Sequence, residues 1–102
     1  MNIFVVLLTY QVPLERIMEA VPAHRQYLSA YYEQETILFS GMLASQQGGM
    51  LVMRAPQKQE VEQLIHNDPF YLQGLASYEI LAINVRQSQP WISNWITGGS
   101  LS

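Results

Sequence analysis

The chain has 102 residues, 49% of them apolar and 13% charged, with a formal net charge of −3. One domain is expected, too apolar for a disordered tail and too poor in basic residues to hold nucleic acid through its phosphates. Lys58 is the only lysine, Arg16, Arg25, Arg54 and Arg86 are scattered, and the lack of cysteine excludes disulfides, thiolate metal sites and cysteine nucleophiles. The apolar run Ile3 to Leu8 has no basic residue ahead of it and no small-residue cleavage site behind it. It is also far shorter than the roughly 20 residues of a membrane span. The expectation is a cytoplasmic protein with neither nucleic acid nor membrane as a partner.

Ile3 to Thr9 is an unbroken run of strand formers, as in a strand covered on both faces. Val12-Pro13 ends it, and Leu14, Ile17, Met18 and Val21 follow at helical spacing. A mid-helix proline costs about 3 kcal/mol, so Pro22 is expected to break this helix. A second segment would start with Pro22 in its first turn and run to about Glu35. His24 would then lie on the side of Val21 and Leu28, near the positive end of the helix dipole. Thr36 to Ala44 reads as a strand in which Gly41 marks a bulge or a close backbone approach. Gln46 to Gly49 is a turn, and Met50 to Arg54 the returning strand of a hairpin. Ala55-Pro56 opens a helix with Val61, Leu64 and Ile65 on one face. Asn67-Asp68-Pro69 stops it and starts another short turn. Tyr78 to Arg86 is a last strand, apolar on both faces.

The order strand, helix, strand, strand, helix, strand predicts an α+β protein with a ferredoxin-like βαββαβ sandwich. Two helices cover only one face of its sheet, yet two strands are apolar on both. A second copy of the sheet is the expected cover, which makes the chain a homodimer. Residues 1–87 form the domain. Residues 88–102 form a tail with Trp91, Ile92, Trp95 and Ile96, expected to pack at the dimer interface. The alternative is a tail folded back on its own sheet.

Few residues carry chemistry. His24 is either a hydrogen-bonded core histidine or a general acid or base, since an unperturbed imidazole titrates near pH 6.5. Asp68 is the only aspartate. Ahead of Pro69 it suits a helix N-cap, and one carboxylate oxygen can cap while the other faces a cleft. His66 reads as a surface histidine. His24, His66 and Asp68 lack the spacing of a metal site, so no metal is expected. Gly48-Gly49 is no phosphate loop, Ser40 sits in no nucleophile elbow, and Tyr27, Tyr31 and Tyr32 read as packing residues.

Five pieces occur in order: Pro22-Ala-His24-Arg-Gln-Tyr27-Leu28, Leu38-Phe-Ser-Gly41, Gly48-Gly49-Met-Leu, Asn67-Asp68-Pro69-Phe70, and Gly74-Leu75 with Tyr78-Glu79-Ile80. Together they resemble the YciI-like (YCII-related) family over roughly Ile3 to Val85. The resemblance implies the dimeric α+β barrel fold and a His–Asp pair lining a cleft, matched here by His24 and Asp68. One branch of that family is a dehydrochlorinase of a chlorinated hydroxyquinol. Two positions depart from the pattern: Gly41-Met42 stands where many members have Gly-Pro, and Val21 where many have an arginine. The tail lies outside the resemblance. The implied function is a small cofactor-independent enzyme in which His24 and Asp68 move a proton on a small cyclic or aromatic substrate, in elimination, isomerisation or lactone chemistry. The alternative is a non-catalytic dimer that binds a small ligand or a partner.

Overall fold

A computed structural model describes residues 1–101. Its first strand, β1 (Asn2–Tyr10), turns Phe4, Val6 and Leu8 into the core by simple alternation. The chain then enters α1 (Leu14–Glu33), a single helix of 20 residues with Pro22 inside it. The expected break at Pro22 does not occur. The helix buries Ile17, Ala20 and Leu28, while Met18 and Pro22 are exposed. The Met18 carbonyl that loses its N–H partner to the proline therefore lies on the exposed side of the helix, where an unmade backbone bond costs least. His24 consequently sits in the middle of a long helix, not in a first turn, and the helix dipole is not what acts on it.

A hairpin follows, with β2 (Ile37–Met42) and β3 (Gly48–Ala55). The bulge lies between Ile37 and Phe39, whereas Gly41 has open space around it. The close backbone approach is at the other pair of glycines. A Cβ on Gly48 would collide with the Leu8 carbonyl, and one on Gly49 would come within 2.9 Å of the Gly41 carbonyl oxygen. The hairpin strand β3 therefore takes in both glycines, which the sequence suggested for the turn.

The remaining elements are α2 (Lys58–His66), α3 (Pro69–Leu72), β4 (Ala76–Ile83) and α4 (Pro90–Ile96). In α2, Val61, Leu64 and Ile65 are buried as their spacing requires, and Glu60 accepts the Gln57 N–H at 3.0 Å in the first turn. The sheet is antiparallel in the order β2-β3-β1-β4. This is the α+β, ferredoxin-like arrangement. The core lies between its helix face and α1, α2 and α3, where Phe4, Val6, Leu8, Leu51 and Met53 meet Ile17, Leu28, Val61, Leu64 and Phe70.

The other face carries Val5, Leu7 and Val52, half-buried, and Phe39, Leu81 and Ile83, exposed. At one end of this face the tail closes on its own chain. Trp95 is 1% exposed, and its indole N–H donates to the Glu35 carbonyl. The Arg54 guanidinium lies 5.2 Å from the Trp95 ring centre and donates to the carbonyls of Trp95 and Gly99, so the buried charge is hydrogen-bonded and covered by a ring face. Trp91, in contrast, is 67% exposed. Among the described residues no helix is long and apolar enough to cross a membrane.

Candidate active site

Two elements meet to build the site. The middle of α1 presents His24, and the start of α3 presents Asp68, 44 residues later. Asp68 is held there by local chemistry. As N-cap of α3 it accepts the Phe70 N–H on Oδ1 at 3.0 Å, with Pro69 as the first helical residue. The same Oδ1 faces His24 Nδ1 at 2.8 Å. Oδ2 accepts the hydroxyl of Tyr78, on β4, at 3.2 Å. A carboxylate 1% exposed thus has three donors around it, as a buried ionised group requires. The sequence reading allowed one oxygen to cap and the other to face a cleft. In the structure neither oxygen lines the cavity: Oδ1 both caps α3 and meets His24, and Oδ2 is occupied by Tyr78.

The acceptor at Nδ1 fixes the proton of a neutral His24 on that nitrogen. Nε2 has no partner among the described residues. The ring stacks on Phe70, with centroids 4.0 Å apart and planes 1° from parallel. Two restraints, the carboxylate and the stack, therefore set its position and tilt. Tyr10 in turn meets Phe70 edge-on at 6.4 Å.

His24 forms part of the wall of a cavity of about 590 Å³ between α1 and the β2–β3 hairpin. Leu8, Met18, Val21, Leu28, Met42 and Phe70 give it an apolar lining, and Tyr10, Arg25, Ser29, Tyr32 and Ser40 add polar groups. Such a space suits a ring-sized ligand held by a few directed contacts. The Tyr32 and Ser40 hydroxyls bond each other, tying α1 to β2 at one part of the wall. Val21 lines the cavity, and so do Arg25, one helical turn later, and Glu33. The wall thus carries one cation and one carboxylate.

Burial, with the Asp68 charge next, pushes the Tyr78 phenol well above the ordinary tyrosine range, so it remains a protonated donor. Burial, with the hydroxyl of Tyr31 next, does the same to Tyr27, which donates to the Leu64 carbonyl at 2.7 Å and ties α1 to α2. The Tyr10 phenol is also raised by burial. His66 does not join the site: it is exposed, with its ring 4.8 Å from Tyr71. Among the described residues no three ligating side chains gather as a metal centre would need. Sequence reasoning assigned no role to Phe70, Tyr78, Tyr10 or Arg25. Arg25, Phe70 and Tyr78 lay within the motif pieces, but a strand apolar on both faces gave no signal of which face the Tyr78 ring takes.

The fold has solved relatives. The 5-chloro-2-hydroxyhydroquinone dehydrochlorinase TftG from Burkholderia phenoliruptrix AC1100, determined with 2,5-dihydroxybenzoquinone, aligns with a TM-score of 0.68 at 21% identity, over 84% of this chain and 95% of its own. SnoaB, a cofactor-independent oxygenase from Streptomyces nogalater, aligns with a TM-score of 0.50 at 13% identity, over 87% and 96%. At these identities the likeness is one of fold. No curated protein matches the sequence. The YCII-related domain model matches residues 3–84, the span that holds β1 to β4 and both residues of the His–Asp pair. The chain belongs to the YCII-related domain family.

Proposed function

We propose that the protein is a small cofactor-independent enzyme in which His24 moves a proton on a small cyclic or aromatic substrate. One observation carries this reading. Asp68 engages Nδ1 at 2.8 Å, which leaves Nε2 as the basic nitrogen of a histidine in the wall of a largely apolar cavity. Asp68 keeps the imidazole in that tautomer and stabilises the imidazolium once the proton is taken. Tyr78 and the Phe70 N–H hold the carboxylate in turn. Elimination, isomerisation and lactone chemistry all need such a base. The activity of TftG on a chlorinated hydroxyhydroquinone supports the same substrate class.

The test is a thermal-shift screen of cyclic enols, quinones and lactones, with 2,5-dihydroxybenzoquinone included, followed by turnover assays on the compounds that bind. His24→Gln should lower kcat by about 10²–10⁴-fold, with Asp68→Asn following in the same direction. Full turnover by His24→Gln overturns the proposal. The three internal hydrogen bonds of Asp68 also suit a second reading, a purely structural pair in a non-catalytic binding protein. Its signature is a ligand that binds the wild type and is never converted.

A further inference from the structure

Four polar groups of the cavity wall make no bond among the described residues: the exposed Arg25 and Glu33 side chains and, packed around the Phe70 ring, His24 Nε2 and the Tyr10 hydroxyl. The other wall hydroxyls near them are spoken for, Tyr32 with Ser40 and Ser29 with the Gln26 carbonyl. Tyr10 ends β1 on the helix face of the sheet, and its ring packs edge-on against the Phe70 ring that also carries His24. The neighbouring wall is cut back. Gly49 has no side chain, and a Cβ there would lie 3.7 Å from the Tyr10 oxygen. Tyr10 is half-buried, so a donor in this position is partly desolvated and makes no bond within the chain.

We propose that Tyr10 is a second catalytic residue of this site, donating its hydroxyl proton in a hydrogen bond to a ring oxygen of the substrate, and that the substrate is a cyclic carbonyl compound with a removable proton beside the carbonyl. The inference rests on the acid–base reading of His24 given above. In the step it implies, His24 Nε2 takes the proton from the carbon next to the carbonyl. The C–H electron pair becomes the C=C bond of an enolate, and the C=O π pair moves onto the oxygen. That oxygen is where Tyr10 donates, so its hydrogen bond strengthens as charge develops. In isomerisation the imidazolium returns its proton to another carbon of the enolate. In elimination the oxygen pair re-forms the C=O bond, the enolate C=C pair becomes a new C=C bond to the adjacent carbon, the leaving group departs from that carbon as an anion with its bonding pair, and the imidazolium proton passes to solvent. Neither course needs an oxidant or a reductant. A phenol is protonated at neutral pH, and burial moves Tyr10 further in that direction.

The probe is 4-hydroxycoumarin at pH 8, a bicyclic ring enolate under those conditions, with naphthalene as a ring system of similar shape that lacks oxygen. Affinities are measured by fluorescence for the wild type, Tyr10→Phe and His24→Gln. Tyr10→Phe should bind the enolate about tenfold more weakly, the loss of one hydrogen bond to a charged oxygen. It should bind naphthalene as the wild type does and melt at the same temperature, since the hydroxyl it loses has no partner in the fold. Equal enolate affinity in Tyr10→Phe overturns the proposal. So does an equal loss for naphthalene, which would reduce Tyr10 to ring packing, and so does a wild type that does not bind the enolate at millimolar concentration. The two readings fail separately. If His24→Gln abolishes turnover and Tyr10→Phe binds the enolate normally, only the role of Tyr10 is lost. If Tyr10→Phe weakens the enolate and His24→Gln still turns substrate over, the base is lost and the oxygen contact stands.

Discussion

Asp68 concentrates more function in one side chain than any other residue of the chain. It caps α3, orients His24 and receives Tyr78, all at 1% exposure. Asp68→Asn keeps the volume but puts an NH₂ group among three donors, so at least one donor is left unpaired. The expected cost is about 1–3 kcal/mol, read as a lower urea midpoint with an unchanged slope. A second readout isolates the site from the fold. Nitrogen-15 NMR should show neutral His24 protonated on Nδ1 in the wild type and on a mixture of both nitrogens in Asp68→Asn. An unchanged tautomer in the variant would contradict the orienting role. Tyr78 gives a pH prediction. Its phenol is raised above the ordinary value by burial and by Asp68. Above about pH 10 the unfolded chain therefore loses a proton that the folded chain keeps. The stabilisation from Tyr78 is complete below that pH and is lost as pH rises toward its folded value, at about 1.4 kcal/mol per unit. Tyr78→Phe should flatten the alkaline limb of a stability–pH curve. An equally steep limb in the variant would show that this tyrosine is not the cause.

Pro22 sets the behaviour of α1. The helix tolerates it because the lost hydrogen bond falls on the exposed side, between Met18 and Pro22. Pro22→Ala should therefore raise stability by about 1–2 kcal/mol, the helix gain less the added freedom of the unfolded chain. Calorimetry checks it, and a lower melting temperature would mean that the proline locks a geometry the helix needs. The same residue marks the limit of what was legible. Apolar spacing identified the buried face of α2 and, with Met18 wrongly included, most of that of α1, and Asp68-Pro69 identified a cap that the structure keeps. Propensity alone mislaid the continuity of α1, because tertiary burial of Ile17, Ala20 and Leu28 outweighs one local penalty. Glycine spacing likewise pointed to Gly41 for a bulge. The actual constraint is at Gly48, where the β1 backbone passes too close for any side chain, a relation between strands that local sequence does not express. For the site, the motif pieces were enough to pair His24 with Asp68, but not to reveal Tyr10 or Tyr78. Their roles depend on which hydroxyls the fold leaves free and which it uses.

The whole molecule has one sheet face under helices and one mostly bare, with Phe39, Leu81 and Ile83 exposed along it. A bare apolar face of this kind is best removed from water by a like face, so the chain is expected to run as a homodimer. Light scattering at micromolar concentration should give twice the chain mass of 11.7 kDa. Ile83→Asp should give the single mass with the fold intact, because that side chain is exposed and outside the core. The two tryptophans of the tail divide the remaining question. Trp95 is sealed within its own chain by Arg54 and the Glu35 carbonyl, so Trp95→Ala should cost about 3–5 kcal/mol of folding stability. Trp91 is 67% exposed and is given no such seat. If the tail also contributes to the dimer, Trp91 is the residue that can do so, and Trp91→Ala should weaken dimerisation while leaving the melting temperature of the dilute chain in place. Dimer affinity unchanged by Trp91→Ala, measured by sedimentation across a dilution series, would confine the tail to its own protomer. A monomeric wild type at micromolar concentration would leave the bare face without its partner and overturn the dimer itself.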